Sequence, residues 1–305
     1  MSYPIFKIEP EHVLEQEQLG TKDKFWFRGI GIDGKDDSEW LFKEPTEGTG
    51  QHWAEKIAYE IARIMRIVVP TVELANFEGI KGTATLSFTK TNRYELYHGN
   101  QVLHGFDSNY EQTKRFRHKS HTVERIFDAI QASFIDTKAS RRACSQMASY
   151  LILDALICNV DRHHENWGLV RKRKGEGWLG RLAPSFDHAS SLGRELNDID
   201  SKQNRERYLR ELGVAKYVER GRSPIFVTGD ETHGLAPIKL VESCLEIETL
   251  SGFFKEGLEL LDYLSPEKFE RVIAALPADW MSDLAKEFAI TLLIETLGQL
   301  NHLRT

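Results

Sequence analysis

Cysteine is scarce in this sequence, and the few present are badly placed for cross-linking. Cys144, Cys158 and Cys244 are the only three in 305 residues. Odd in number and far apart, they offer neither a disulfide framework nor a CxxC metal knuckle and read as core thiols. No uncharged apolar run approaches the roughly 18 residues a membrane span needs. The start, MSYPIFKIEPEHVLEQEQLG, lacks a basic region followed by an apolar one, so the expectation is a soluble cytoplasmic protein. Positive charge is also in deficit. With 40 Lys+Arg against 46 Asp+Glu the formal net charge is -6, and the pI is near 6.0. That balance argues against a chain whose main task is to coat nucleic acid or an anionic membrane. There is no repeat, no low-complexity tract and no long Pro/Gly linker. There is no HExxH, and GIGIDG (29–34) neither completes GxxxxGK[ST] nor leads a strand into a helix, which excludes a P-loop.

What is present is ample apolar content, 41%, enough for a core without disulfide or metal staples. The first third is strand-rich. KFWFRGIGI (24–32) alternates large apolar with polar or small residues, and EWLFK (39–43) follows across the turn-forming IDGKDDS, a hairpin pattern. QHWAEKIAYEIARIMRI (51–67) places Ile57, Ile61 and Met65, with Ala58 and Ala62, on one helical stripe that stops before Val69-Pro70. TVELANF (71–77) and GTATLSF (82–88) predict two more strands. Beyond 89–101 helical patterns dominate: HTVERIFDAIQASFI, ASRRACSQMASYLILDALICNV and SPEKFERVIAAL, where Ser265 can cap and Pro266 can open a helix. The fold class expected is α+β and two-lobed: a small β-rich lobe over 1–92 and a larger α-helical lobe over 93–305.

The densest polar chemistry lies in NVDRHHENWGLV (159–170), between the end of a helix pattern and the start of an apolar strand. Asp161 and Asn166 stand five positions apart on that loop, and Asp187 follows in LAPSFDHAS after an apparent hairpin, WGLV-RKRKGEG-WLGRLAP. This D-x4-N, hairpin, D layout fits phosphoryl transfer from a magnesium-bound nucleotide. One Asp accepts the hydroxyl proton, an Asn and a second Asp hold the metal, and a small-lobe lysine steadies the phosphates. Lys43 closes the strand EWLFK, and Glu55 lies in the first turns of the next helix, where a Lys–Glu ion pair would position such an ammonium. Each residue alone means little; in chain order, each in its proper lobe, the five form a constellation.

The motifs NVDRHHENWGLV and LAPSFDHASSLG resemble the D-x-H-x-x-N catalytic loop (about 159–170) and the P-x-x-D magnesium segment (about 183–193) of HipA-like bacterial serine/threonine kinases. WLFKEP and AEKIAYEIARIMRIVVP resemble that family's nucleotide-lysine strand and Glu-bearing helix. The resemblance implies a two-lobed protein-kinase-like fold that uses ATP and Mg2+, with Asp161 as catalytic base and His163 as the family histidine beside it. It implies Asn166 and Asp187 as metal ligands and Lys43, paired with Glu55, as the phosphate contact. Backbone groups near Leu86 and Phe88 would line the adenine site. LEQEQLGTKDKFWF resembles the glycine-containing loop over the phosphates, with Gly20 and Lys24 as its nucleotide contacts. That loop departs from the family: three residues before Gly20 stands Glu17 where HipA carries a self-phosphorylated serine, leaving Thr21, Thr46 or Thr49 as the nearby hydroxyls. With about 20 residues before the first expected strand, the chain reads as a kinase core without HipA's extra N-terminal subdomain. As partners the resemblance implies a protein substrate such as an aminoacyl-tRNA synthetase, in a toxin-like role, and a helix-turn-helix antitoxin.

Alternatives stay open. An ATP-binding pseudokinase keeps the same fold without transfer, and a small-molecule kinase uses the same loop on other acceptors. His163, His164 and His188 near two aspartates could build a metal-dependent hydrolase, although Lys43 and Glu55 would then lack a role. His163 can equally be a hydrogen-bonded scaffold. KRFRHK (114–119) and RKRK (171–174) invite a nucleic-acid reading, against which the acidic balance weighs; a docking surface for an acidic protein or tRNA-bound substrate fits them better.

Overall fold

The computed structural model describes residues 2–16, 24–29, 38–89, 94–115, 117–199, 202 and 204–304. The turn expected between the first two strands and the loop carrying Gly20 lie outside them. Two strands precede those expected: β1 (Ile5–Ile8) and β2 (Val13–Gln16). β3 (Lys24–Gly29) and β4 (Ser38–Lys43) form the anticipated antiparallel pair, and β5 (Val72–Phe77) and β6 (Ile80–Leu86) complete a six-stranded sheet in the order β1-β5-β6-β4-β3-β2. The β5–β6 turn is two residues long with φ of 50° at Glu78 and 90° at Gly79, the positive values that match the twist of a tight hairpin. Alternation sorts the sheet's faces. Phe25, Phe27, Trp40, Phe42, Ala75 and Ala84, with Ile8, form a buried cluster of their own. Lys43 points the other way, directly opposite Lys24 on one side and Thr83 on the other.

Helix α1 (Gln51–Ile64) buries the expected stripe: Ile57, Ala58, Ile61, Ala62 and Met65 are all fully inaccessible. With Leu74 of β5 they belong to the larger core, so the helix ties the sheet to the helical lobe. Its only basic residue among the buried positions, Lys56, donates to Val72 O (2.8 Å) and Glu73 (2.7 Å), pairs with Glu60 (2.9 Å) and lies over the Tyr3 and Tyr59 rings. A buried ammonium is tolerable because of those partners. The other end of the same region is pinned from below. Tyr3 N donates to Ala275 O, Lys81 pairs with Asp279 at 2.6 Å, and the His52 ring packs on Trp280 at 5.3 Å.

The helical lobe comprises α2 (Gly99–Phe106), α3 (Val123–Ala132), α4 (Thr137–Ile157), a short α5 (Arg205–Arg207), α6 (Val214–Arg220), α7 (Pro237–Glu246), α8 (Glu248–Leu258), α9 (Pro266–Ala274) and α10 (Asp283–His302). α4 is the hub: from Met147 to Ile157 every side chain is buried, and α3, α7, α8 and α10 all pack against it. The three thiols are buried and free; burial raises the thiol of Cys144 to about 11 and that of Cys158 to about 12. Ser265 precedes α9 in extended conformation as expected, with Pro266 in the first turn, but its side chain makes no capping bond. A second sheet, β7-β8-β9, is built from β7 (Glu95–His98), which the sequence reading left as a connection, β8 (Gly168–Lys174) and β9 (Gly177–Leu182). RKRK therefore lies within β8, and Gly175-Glu176 form the hairpin's tip. The whole is a mixed α+β, two-lobed fold with no helix among the described residues long and apolar enough to cross a membrane.

Candidate active site

The site is assembled where α4 ends. Cys158 takes φ 52°, a left-handed cap that stops the helix and turns the chain into 159–167. Two backbone bonds then tie this loop to the segment after β9: Leu192 N donates to Ile157 O (2.9 Å) and Val160 N to Ser190 O (3.2 Å). A third tie comes from below, Tyr150 OH to Ala183 O at 3.0 Å.

Arg162 joins these pieces. It is 1% exposed, and such a buried charge requires full pairing. Nε and Nη2 each donate to Asp154 at 2.7 Å, Nη1 donates to Asn166 O (2.8 Å) and Phe186 O (3.2 Å), and Nη2 also reaches Ser185 Oγ (3.0 Å). One rigid fork thereby fixes the end of α4, the loop and the segment before Asp187. Asn159 adds a second lash: Nδ2 donates to Asp154 Oδ1 (2.8 Å), while its Oδ1 accepts from Asp161 N (3.2 Å).

On this frame Asp161 keeps its carboxylate partly exposed; Ser190 Oγ donates to Oδ2 at 3.4 Å, and His163 Nε2 lies 3.9 Å from Oδ1. Asn166 Nδ2 donates to Asp161 O (2.7 Å), which commits its amide nitrogen to the loop and turns its oxygen to other use. His163 is buried, accepts from Glu165 N at Nδ1 (3.2 Å) and is held below its ordinary pKa by that burial, Asp161 opposing. Its ring shapes the loop through the bond from Glu165 N. Asp187 adopts φ 61°, a left-handed conformation rare for a non-glycine residue and characteristic of positions the surroundings over-determine.

The lysine and glutamate do not form the expected mutual pair. Lys43 Nζ lies 3.1 Å from Asp187 Oδ1, and Glu55 Oε1 lies 3.5 Å from His188 Nδ1. The neighbouring contacts run through one segment: Ser185 Oγ accepts from Arg162 Nη2 and lies 2.7 Å from His188 Nε2, and the other ring nitrogen of His188 faces Glu55. Glu55 is 4% exposed and its Oε2 has no hydrogen-bond partner. Gly82 protects the neighbourhood of Lys43: a Cβ there would sit 2.5 Å from Lys43 O.

Leu86 packs its side chain against the sheet's own core, its N–H donates to Thr71 O (2.9 Å), and Ser87 N donates to Glu39 O (2.8 Å). The Phe88 ring lies 5.7 Å from that of Phe186, the residue before Asp187. Lys24, opposite Lys43 in register, brings a second ammonium to the same face. Gly20 lies outside the described residues. Sequence reading missed Asp154, Arg162 and Ser185; the Asp154 signal was a lone acid in the apolar run LILDALI, where an acid needs a buried partner.

The donor set is hard: carboxylates and an amide oxygen, which suit magnesium. The histidines do not converge on a metal. His164 Nδ1 meets Tyr110 OH at 2.9 Å, His188 serves Ser185, and His163 serves the loop. Among the described residues no group of three or more His, Cys, Asp or Glu could hold an ion. The hydrolase alternative thus has no ligand set, whereas two oxygen donors completing their shell with substrate phosphates are what a nucleotide-borne magnesium uses.

A family model described as the HipA-like C-terminal domain matches residues 16–226. The fold is similar to that of the Helicobacter pylori proinflammatory kinase CtkA, with a TM-score of 0.76 at 18% identity over 99% of this chain and 98% of that one. It is also similar to HipA of the Shewanella oneidensis MR-1 toxin–antitoxin system, solved with HipB and its operator DNA, with a TM-score of 0.59 at 13% identity over 95% of this chain and 67% of that one. No curated protein matches the sequence.

Proposed function

We propose, from the premise that this chain belongs to the HipA-like C-terminal domain family, that it is an ATP- and magnesium-dependent phosphotransferase acting on serine or threonine of a protein. The observation that carries the reading is the single cleft in which Lys43 meets Asp187 at 3.1 Å while Asn166 is bonded to the backbone of Asp161 at 2.7 Å. Lys24 and Lys43 stand opposite each other across β3 and β4, two ammonium groups on one face of a kind that suits nucleotide phosphates.

Asp161 would accept the proton of the acceptor hydroxyl, a role that its partly exposed carboxylate and the weak 3.4 Å hydrogen bond from Ser190 leave open to it. Asn166 Oδ1 and the Asp187 carboxylate would hold magnesium, which when bound neutralises charge developing on the transferred phosphoryl group. Lys43 would turn from Asp187 toward the phosphates, and Glu55 would steady the cleft through His188. Domain limits near residues 92 and 93 follow from this reading.

The finer attributes rest on resemblance. A HipB-type helix-turn-helix partner is supported by the Shewanella HipA, which was solved with HipB and operator DNA. A toxin-like action in the cytoplasm on a translation component such as an aminoacyl-tRNA synthetase is proposed on family likeness. The intact set of polar residues favours a kinase over a pseudokinase. Incubation of the purified chain with labelled Mg-ATP and a cell lysate, followed by phosphoamino-acid analysis, tests the reading. Phosphoserine or phosphothreonine on a discrete protein supports it; ATP binding with no transfer would select the pseudokinase, and label only on small molecules the small-molecule kinase.

A further inference from the structure

The ribbon that leaves the catalytic loop carries a surface with no part in phosphoryl transfer. β8 and β9 hold five cations, Arg171, Lys172, Arg173, Lys174 and Arg181, against one acid at the tip, Glu176, in a chain whose net charge is -6. Basic composition alone is a weak signal, because solvated hairpins often show it. The structure adds aromatic rings from a strand that sequence patterning did not reveal. β7 brings Tyr97 alongside, and the Arg171 guanidinium lies between two rings, 4.1 Å from the centre of Tyr97 and 4.2 Å from that of Trp178. On the other face Lys172 and Arg181 sit 4.9 Å and 5.2 Å from the centre of Tyr94.

Two details distinguish this arrangement from a solvated turn. Trp178, the largest side chain on the ribbon, is 52% exposed with the Arg171 guanidinium over one face, which leaves an aromatic surface in water able to stack. Its direct cross-strand neighbour is Arg173, which is exposed and, like Lys174, has no ion-pair partner among the described residues. A half-exposed indole with a guanidinium over one face and another beside it is a pairing that takes a base on the ring's other face and its phosphate on the cation. An acidic peptide would use the cations and leave the indole uncovered. A duplex would present phosphates but keep its bases stacked away from the ring.

We propose that the β8–β9 ribbon binds a single-stranded nucleic acid, with Trp178 as stacking platform and Arg173 and Lys174 as phosphate contacts. The overall acidity of the chain then confines binding to this ribbon. The proposal does not rest on phosphotransferase activity.

The test uses the full chain and fluorescein-labelled oligo(dT) and oligo(U) of about 12 nucleotides, a length within the range of known single-strand sites, with anisotropy read over a salt series. Saturable binding is expected, with affinity falling as salt rises. Reversal of the two exposed charges, Arg173→Glu with Lys174→Glu, should lower affinity at least about tenfold and flatten the log–log salt slope by about 1.4, two phosphate contacts at about 0.7 each. Trp178→Ala should cost about tenfold with the slope unchanged, and Trp178→Phe should recover most of it. All of these positions are solvent-facing, and unchanged thermal midpoints establish that the variants fold. The arms with deoxy and ribo oligomers report which sugar is preferred. The proposal is overturned by absence of saturable binding at low salt, by binding indifferent to either variant, or by a duplex of the same sequence binding equally well. Displacement of the oligomer by a poly-glutamate peptide that binds more tightly would assign the ribbon to an acidic protein instead.

Discussion

The Arg162 guanidinium grips the Asp154 carboxylate through two 2.7 Å bonds, Nε to Oδ2 and Nη2 to Oδ1, with both residues at most 3% exposed. Because the remaining donors of Arg162 hold Asn166 O, Phe186 O and Ser185 Oγ, this pair converts the rigidity of α4 into the relative placement of Asp161, Asn166 and Asp187.

Asp154→Ala should therefore destabilise the fold by about 3–5 kcal/mol, the cost of leaving a buried charge without its partner. Arg162→Lys should not rescue function, because an ammonium cannot reproduce the planar fork. Urea denaturation of both variants checks this; a midpoint within error of wild type for Asp154→Ala would remove the pair from the frame of the site.

The contact between Lys43 and Asp187 at 3.1 Å predicts a coupled effect on nucleotide binding. Asp187→Asn should weaken ATP affinity about 10- to 100-fold in magnesium, the value of a charge-assisted contact, and much less without the metal. Lys43→Met should weaken it with and without magnesium. Calorimetry across a magnesium titration separates the two; unchanged affinity of Asp187→Asn would exclude it as a metal ligand.

A third prediction concerns acid. Behind the loop, burial lowers His121 to about 3 and His164 to about 4, with the neighbouring histidines reinforcing the shift. Their rings and hydroxyl partners interlock: Tyr110 OH with His164 at 2.9 Å, Trp167 Nε1 with His121 Nε2 at 3.2 Å. In the unfolded chain both histidines take up protons below about 6.5, whereas the folded chain resists until the lowered values are reached. The unfolded state thus binds more protons in that window, and stability falls as pH drops from about 6.5 toward 4, each ring contributing at most about 1.4 kcal/mol per pH unit. Urea midpoints at descending pH values measure it, and a midpoint that stays level between about 6.5 and 5 would contradict it.

Much of this was legible in the chain because it is encoded locally. The stripe Ile57, Ala58, Ile61, Ala62 fixes α1 and its buried face, and the alternation in 24–29 and 39–43 fixes a strand pair that ends on Lys43. The order of Lys43, Asp161, Asn166 and Asp187 could be read from the chain because the motifs that hold them are short and local. β1, β2 and β7 escaped because four-residue strands offer only two positions per face, too few for a period to emerge. The exchange of partners, Lys43 with Asp187 and Glu55 with His188, could not be read either. Which anion an ammonium meets is decided by tertiary placement, here by the segment that sets Asp187 beside Lys43 and His188 beside Glu55. Leu86, directly opposite Trp40, shares its face and turns its side chain into the sheet's core.

The most direct test of the account is transfer of labelled γ-phosphate from Mg-ATP by purified wild-type and Asp161→Gln protein, each alone and with lysate. Asp161 is partly exposed, and glutamine keeps a polar side chain at that position, so the substitution is expected to keep the fold and nucleotide site. The account predicts that wild type labels itself or a discrete protein, and that Asp161→Gln falls by about 10²–10⁴-fold, the contribution of a positioned base, with ATP binding retained. Transfer by Asp161→Gln at the wild-type rate would contradict it.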